Sequence, residues 1–387
     1  MKNLKDKQNN NKLGVKQMKN TKLNIALACG LATTMFMAPS AYAESERSFI
    51  IGGNVELDIT YDEDDTDENF DHGGRLLLDF TGIAKQDNGY FIKGVAQPLV
   101  LFNPGDQDVL IEQNTELSVI DNSTATVDAN SIEVDDLFLQ FGREGAWDIR
   151  IGRFEAANLL PLGKDTLLVN AGGVQVYDGG NARGRVDDRL HAVLNFHLGS
   201  QIQLEFGVQA NQSGDDENLA FRPVISDTTG KWKWHVGFET TAKEETVEDG
   251  EVSGGVGIDT VGNISTEDTD GVAAGFGTAI FGGDFYVSVA NFSTDVDSDV
   301  TTFAINYTRG NWGIGYVHSG EHDDISSTPD PTVDSFYAAY THSLLGIKGA
   351  SMTYALSTSS ADNLDDGNGG ITDASVDAVR LRFNYEF

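Results

Sequence analysis

The last nine residues of the chain alternate without exception between apolar and polar side chains. Val379, Leu381, Phe383, Tyr385 and Phe387 take the odd positions, and charged or polar residues take the even ones. Successive side chains of a β-strand point to opposite faces, so this segment predicts a strand with one apolar and one polar face. A transmembrane β-barrel requires such strands, because they meet lipid outside and water inside. A soluble β-sandwich can show the same alternation, so other features must distinguish the two folds.

About sixteen segments of the chain share this alternation, and helical spacing is nearly absent. The clearest segments cover residues 54–61, 201–210, 231–239, 301–307 and 379–387. No stretch after residue 43 approaches 18 consecutive apolar residues. Membrane-spanning helices are therefore excluded there, whereas a barrel is not.

The connections between these segments alternate in length. The short ones have the residues of hairpin turns and cover 86–89, 143–146, 198–200, 227–230, 282–284, 309–311 and 345–349. The long ones are mostly acidic and cover 62–71, 103–130, 155–188, 243–270, 319–333 and 358–375. Transmembrane barrels have this asymmetry, whereas soluble sandwiches have no reason for it.

The pattern predicts an all-β fold, a transmembrane antiparallel β-barrel of about 16 strands with short periplasmic turns and long external loops. We expect residues 54–61 to pair with the last strand and close the barrel, because an open sheet edge in lipid leaves backbone groups unsatisfied. A barrel of this size leaves an aqueous channel, and residues 44–387 would form a single domain.

The first 43 residues are typical of a secretory signal peptide. Seven lysines precede an apolar run over residues 23–38, and an A-x-A motif predicts cleavage after Ala43. A start at Met18 instead of Met1 would give a signal of more ordinary length. Cys29 could indicate a lipoprotein site, but the apolar run continues for nine residues beyond it. With Cys29 removed, the mature chain has neither a disulfide nor a thiolate metal site.

Charge excludes one class of partner. The chain has 26 basic and 60 acidic residues, of which residues 1–43 hold seven and one, so the mature chain carries a net charge of −40. Nucleic-acid binding needs a basic surface and is excluded. Strong acidity can also indicate disorder, but here the acidic residues cluster between the alternating segments, where they would lie in loops.

The segment 147–165, with the sequence WDIRIGRFEAANLLPLGKD, gives the most specific resemblance. A strand ending in I-G-R-F before a long third loop, in a chain with sixteen predicted strands and a terminal Phe, resembles the Gram-negative porins. The continuation E-A-A-N-L-L-P-L-G-K-D is similar to the raffinose-type glycoporins, which are carbohydrate porins. The porin resemblance covers the whole mature chain, and the glycoporin part rests on this one stretch.

The resemblance implies several properties. The protein would lie in the outer membrane as a homotrimer, in contact with lipid and lipopolysaccharide, and would conduct small hydrophilic solutes by passive diffusion. Phe387 would be the assembly signal that the barrel assembly machinery reads. The third loop, residues 155–188, would fold into the barrel and narrow the lumen.

The resemblance also implies a charged pore constriction. Its loop residues would be Glu155, Lys164 and Asp165. The facing basic residues would be Arg75 and Arg150, which strand parity turns towards water, with Arg153, Arg183, Arg185 and Arg189 flanking the loop. These arginines could instead be ordinary surface residues that pair with the surplus of acids.

This loop departs from general porins because its first half is apolar. Leu159, Leu160, Leu162, Leu167 and Leu168 could line a path for sugar rings, or they could anchor the loop against the wall. Aromatic residues with inward parity are candidates for stacking on sugars, namely Phe91, Phe138, Tyr286 and Tyr337. A β-bulge would reverse such parity.

Catalytic and metal motifs are weak. The chain has no G-x-S-x-G elbow, and histidines such as His191 and His235 are common polar residues of a wet lumen. Two acidic stretches, residues 62–67 and 295–299, resemble calcium loops, but the first lacks the required Gly and Glu, so a solvated acidic surface is favoured over a metal site. We expect no cofactor.

The sequence thus predicts an outer-membrane diffusion channel, not an enzyme, for small hydrophilic solutes and in particular carbohydrates. One alternative is a general porin that prefers cations, because acidic vestibules raise the local cation concentration. A less favoured alternative is an outer-membrane hydrolase.

Overall fold

The structure is a computed structural model. It describes residues 45–64, 68–102, 132–163, 167–173, 176, 190–199, 202–213, 216–227, 229, 231–244, 269–294, 298–323, 329–365 and 370–387. The predicted signal peptide, residues 1–43, lies outside the described residues and stays a prediction. In the part of the chain that the structure describes, no helix is long and apolar enough to cross a membrane.

Sixteen antiparallel strands form one closed sheet in the described residues. They are β1 (Ser45–Asp64), β2 (Glu68–Gln86), β3 (Tyr90–Phe102), β4 (Ile132–Arg143), β5 (Trp147–Arg153), β6 (Leu190–Leu198), β7 (Ile202–Ser213), β8 (Asp216–Asp227), β9 (Trp232–Glu244), β10 (Thr269–Ile280), β11 (Gly283–Thr294), β12 (Ser298–Arg309), β13 (Trp312–Asp323), β14 (Thr332–Ser343), β15 (Ala350–Asp365) and β16 (Ile371–Glu386). Each strand pairs with its neighbours in sequence, so the prediction of an all-β barrel with about 16 strands is confirmed.

The barrel closes between its first and last strands. β1 pairs with β16 in a register that runs from Asn54 opposite Glu386 to Asp64 opposite Val376. Beyond Asn54, the backbones of Gly53 and Phe387 exchange two hydrogen bonds of 3.0 and 3.2 Å. The predicted pairing of the two ends is therefore confirmed, and the sheet has no open edge to expose to lipid.

The barrel is apolar outside and polar inside, the reverse of a soluble protein. In β16, the outward Val379 is 55% exposed, whereas the inward Arg380 and Arg382 are each 3% exposed. Other strands repeat the pattern, with the outward Phe206 and Val236 exposed and the inward Glu205 buried. This arrangement is stable only where lipid covers the outer face.

Tight turns join the strands at one end of the barrel. Phe281 and Gly282 alone connect β10 to β11, and both have positive φ angles, of 50° and 77°. Two such residues form a type I′ turn, whose twist matches that of a hairpin. Five other short turns contain a described glycine with positive φ, namely Gly89, Gly145, Gly199, Gly310 and Gly346.

At the opposite end, several strands extend further than predicted. The sequence predicts a loop over residues 358–375, but β15 continues to Asp365 and β16 begins at Ile371. The pairing includes Ser360 with Ser375 and passes through a bulge between Ala361 and Leu364. Both faces of the strands are polar here, so the backbone ladder continues although the alternation in the sequence has ended.

Candidate pore constriction

The chain leaves the barrel wall immediately after β5. Gly152 has φ of +140°, and a Cβ atom at this position would lie 2.1 Å from the carbonyl oxygen of Leu137. Only glycine fits this backbone. The next aromatic residue, Phe154, is 1% exposed and stacks on the ring of His191, with centroids 4.4 Å apart. The bend therefore has a fixed, buried base.

Polar side chains from the inner face of six strands then hold the backbone of Ala157, Leu159, Pro161, Leu162 and Ala171. The donors and acceptors are Ala157 N–H to Glu205 Oε1 (3.0 Å), Arg222 Nη2 to the Ala157 carbonyl (2.7 Å), His235 Nε2 to the Leu159 carbonyl (2.8 Å), Asn306 Nδ2 to the Pro161 carbonyl (2.8 Å), the Tyr337 hydroxyl to the Leu162 carbonyl, and Ala171 N–H to Ser359 Oγ (3.0 Å). These side chains come from β7, β8, β9, β12, β14 and β15. Since all six face inwards, the described residues 157–163 and 167–171, which form an anchored segment, lie inside the barrel.

The histidine contact fixes a tautomer. A carbonyl oxygen can only accept, so His235 Nε2 carries the hydrogen. The other ring nitrogen, Nδ1, lies 2.7 Å from the hydroxyl of Tyr286 and accepts from it when the ring is neutral. Tyr286 thereby orients the histidine that holds Leu159.

The leucines of the segment pack against small residues of the wall. The buried residues of the segment are Leu159, Leu160, Leu162, Leu167, Leu168, Val169 and Ala171. The wall residues in the same cluster include Ala273, Ala290, Ala304, Ala339, Ala355, Ala361 and Ala378. At Gly237 a Cβ atom would lie 2.4 Å from Leu159 Cδ2. Each buried leucine contributes roughly 1.5–3 kcal/mol, so the leucines anchor the segment and do not line an open path.

A row of polar residues crosses β3, β4 and β5 beside the base of the bend. The register places Lys93 opposite Gln140 and Gln140 opposite Arg150. The guanidinium carbon of Arg150 lies 5.0 Å from the ring centroid of Phe138 and 4.9 Å from that of Phe154. Arg150 Nη1 also donates to the carbonyl of Glu155, at 3.3 Å. Two rings and one hydrogen bond thus hold this cation in place.

Ion pairs occupy the inner wall near the closure of the barrel. Arg75 Nε lies 2.7 Å from Glu56 Oε2, and Arg382 Nη2 lies 2.6 Å from Asp58 Oδ2. Arg382 Nη1 is also 3.8 Å from the same Glu56 oxygen. The network joins β1, β2 and β16, so these charges neutralise each other locally.

A second set of charges surrounds the segment on the opposite wall. Arg222 lies between Glu205 and Glu239, at 3.7 and 3.6 Å, while it donates to the backbone of Ala157. Sequence reasoning did not identify Arg222. Strand parity assigns Glu205 to the polar face, but the contact with a segment 65 residues away has no local signal.

The predicted constriction residues lie in different places. Arg150 and Glu155 come together at the bend, and Arg75 lies on the inner face in the ion-pair network. The strand register places Arg153 opposite Leu137, whose side chain is exposed on the outer face, so Arg153 also lies on the outer face. Its Nε donates to the Asp135 carbonyl at 3.1 Å. The remaining five lie outside the described residues, namely Lys164, Asp165, Arg183, Arg185 and Arg189.

The predicted sugar-stacking residues also differ in accessibility. Phe91 lines a small cavity at the turn end of the lumen, and the ring of Phe138 faces Lys93 and Arg150. Tyr337 is 2% exposed, so its ring offers almost no surface to a solute. Tyr286, which is hydrogen-bonded to His235, and Tyr337 both support the anchored segment.

The described residues contain no group of three or more His, Cys, Asp or Glu side chains placed to hold a metal ion. Residues 65–67 and 295–297, in the two calcium-like stretches, lie outside them. Asp148 accepts hydrogen bonds from Gln140, Asn195 and His197, at 2.9–3.0 Å. This network is a satisfied polar cluster of the wall.

A closed sixteen-strand barrel with a lipid-compatible outer face, a polar interior and an inward segment defines an outer-membrane channel of the porin class. A family model described as "Porin-like glycoporin RafY" matches residues 118–387, and the chain belongs to this family. The recognition of a raffinose-type porin and of the outer membrane as its location is thereby confirmed. Family and fold indicate a channel and not an enzyme.

Solved structures share the fold at low sequence identity. The anion-selective porin from Comamonas acidovorans is 12% identical with a TM-score of 0.58, covering 88% of this chain and all of that one. The trimer form of OmpT from Vibrio cholerae is 11% identical with a TM-score of 0.56, over 88% of this chain and 99% of that one. OmpF of Salmonella typhi in complex with daunomycin is 11% identical with a TM-score of 0.57, over 88% and 97%. No curated protein matches the chain significantly.

Proposed function

We propose that the channel passes small hydrophilic solutes, carbohydrates in particular, through a lumen narrowed by the anchored segment. One observation carries this proposal: side chains from six inward-facing strand positions bind the backbone of the anchored segment at Ala157, Leu159, Pro161, Leu162 and Ala171. A segment held at so many points occupies part of the cross-section permanently. Passage is passive, and no bond is made or broken.

The selecting groups are fixed charges and polar side chains on the remaining wall. Lys93 on β3 and Arg150 on β5 face the lumen, and both are held by the strand backbone and are therefore less mobile than loop residues. A solute that sheds water at the narrow point regains hydrogen bonds from Gln140 and its neighbours. Support for carbohydrates as the solute class comes from the description of the family and from the aromatic side chain of Phe91 beside these polar groups.

We further propose that the protein is a homotrimer, as in the trimer form described for OmpT from Vibrio cholerae. Its partners in the membrane would be lipid, lipopolysaccharide and the barrel assembly machinery. Loosely bound divalent ions could bridge the acidic loops to lipopolysaccharide phosphates.

The competing function is a general porin that prefers cations. The net charge of −40 on the mature chain favours it, because an acidic entrance concentrates cations whatever the solute.

Planar-bilayer recordings distinguish the two functions. The purified channel is measured for ion selectivity and then titrated with neutral oligosaccharides such as raffinose and maltotriose. A carbohydrate channel shows saturable block of its ion current by these sugars. A cation-selective current that no sugar blocks would establish the general porin, and the absence of any current would contradict both.

A further inference from the structure

The inner face of β3, β4 and β5 presents two cations to the lumen, Lys93 and Arg150, although the chain as a whole is strongly acidic. We infer that it holds a binding subsite for carbohydrates that carry an anionic group, such as a carboxylate or a sulfate ester. This inference rests on the proposed carbohydrate function and names a solute class within it.

A cavity at the turn end of the lumen provides the space. Its lining includes Phe91, Lys93, Gln140 and His197. Phe91 comes two residues after the turn glycine, Gly89, so the cavity lies near the mouth at the short-turn end. An aromatic ring among hydrogen-bonding groups and a cation is a surface on which a charged sugar can both stack and form ion pairs.

The carboxylates at this cavity are already engaged. Asp148 is 5% exposed and accepts three hydrogen bonds from neutral or histidine donors. Glu144 pairs with Lys85, at 3.2 Å. Neither acid forms an ion pair with Lys93 or Arg150, the inward cations of this wall.

Lys93 and Arg150 form no ion pair with any residue that the structure describes. Both contact aromatic rings, the ammonium of Lys93 lying 5.6 Å from the centroid of Phe138, and Arg150 also donates to the Glu155 carbonyl. Arg150 Nε is buried and has no hydrogen-bond partner among the described residues. Arg75, Arg222 and Arg382, by contrast, each have a carboxylate. In a chain with a surplus of acids, two inward cations without an ion-pair partner favour the approach of an anionic ligand.

The spacing suits a sugar. Phe91 and Lys93 are two residues apart on one strand, so they lie on the same face about 6.6 Å apart along the chain. If one sugar ring stacks on Phe91, an anionic substituent of the adjoining sugar unit lies beside Lys93. Gln140 opposite Lys93, and Arg150 opposite Gln140, continue the row towards the bend.

The test compares trigalacturonate with the neutral trisaccharide maltotriose as blockers of the reconstituted channel. Tricarballylate, a small tricarboxylate, is the third probe and reports binding of charge without a sugar. We expect trigalacturonate to block with an affinity roughly tenfold above that of maltotriose, equivalent to about 1.4 kcal/mol. Lys93→Gln and Arg150→Gln should each reduce this preference several-fold, measured as the ratio of the two blocking affinities in the same channel.

Lys233→Gln is the matched control. Lys233 also lies on the inner face, but Asp284 pairs with it at 3.4 Å on the wall of β9 and β11, so the preference should persist. Equal affinities for the two sugars in the parent channel would overturn the inference and leave the carbohydrate function intact. Block by neither sugar would overturn both. Equal block by tricarballylate and trigalacturonate, or a preference unchanged in both substituted channels, would also contradict the anionic-sugar subsite.

Discussion

At the scale of residues, the position of each charge decides what it can do. Arg222 and Arg382 lie on the inner face with carboxylates at 2.6–3.7 Å, so their fields are largely neutralised close by. Arg150 has two aromatic rings and a carbonyl instead. In a confined pore, few mobile ions screen such a charge, so it acts on passing ions more strongly than it would on an open surface.

Arg150→Glu should therefore shift the ion selectivity of the channel towards cations. The reversal potential in a salt gradient measures the shift, and roughly a threefold change in permeability ratio is expected for one reversed charge in a narrow pore. Arg153→Glu, on the same strand but opposite the outward Leu137, is the matched control and should leave the potential nearly unchanged. An effect of Arg153→Glu as large as that of Arg150→Glu would show that Arg150 has no special position.

Gly152→Ala should destabilise the bend after β5. The added Cβ atom meets the Leu137 carbonyl in a backbone conformation unfavourable to alanine, which costs on the order of 2–4 kcal/mol. The temperature at which the folded band converts to the unfolded band on a detergent gel should fall. Gly94→Ala, where the new atom meets nothing within 4 Å, is the control. Equal conversion temperatures for the two variants would contradict the geometry of the bend.

At the scale of elements, the sequence predicts strands well where one face touches lipid. The alternation from Val379 to Phe387 predicts β16 and its pairing with β1. It loses its signal at the outer ends of β15 and β16, because serines and threonines there put polar side chains on both faces.

The inward segment could be predicted only in part. Its place after the fifth strand and its resemblance to porin loops suggested that it enters the barrel. The residues that hold it, such as His235, Asn306 and Tyr337, lie 76–175 positions away, and single-sequence patterns contain no information on which carbonyl each one meets.

Deletion of Phe387 should impair assembly more than the loss of one exposed ring would explain. It removes the backbone pair with Gly53 that ends the closure ladder, and the porin resemblance implies that this residue is also recognised during assembly. Levels at the cell surface should fall several-fold while the secreted precursor is still processed. Phe281→Ala, which truncates another exposed phenylalanine at a turn, should have little effect. Normal surface levels without Phe387 would remove this part of the resemblance.

At the scale of the whole molecule, one barrel serves two environments. The outer face exposes apolar side chains to lipid. The inner face directs polar side chains towards the lumen or towards the anchored segment. Alanines, valines and Gly237 form the part of the inner wall on which the leucines of the segment rest. The segment is thus bound by both apolar packing and hydrogen bonds, which the proposed narrowing of the lumen requires.

The single-channel conductance of a loop-shortened variant tests the central claim most directly. Residues 155–188 are replaced by a short Gly-Ser linker, and the residues 245–268 between β9 and β10 are replaced in the same way as a control. If the anchored segment narrows the lumen as proposed, its removal should raise conductance roughly twofold and weaken discrimination among solutes, because a sixteen-strand barrel is otherwise an open aqueous channel. The control should conduct like the parent. A conductance identical to that of the parent after removal of 155–188, in a correctly folded barrel, would contradict the placement of this segment as the constriction.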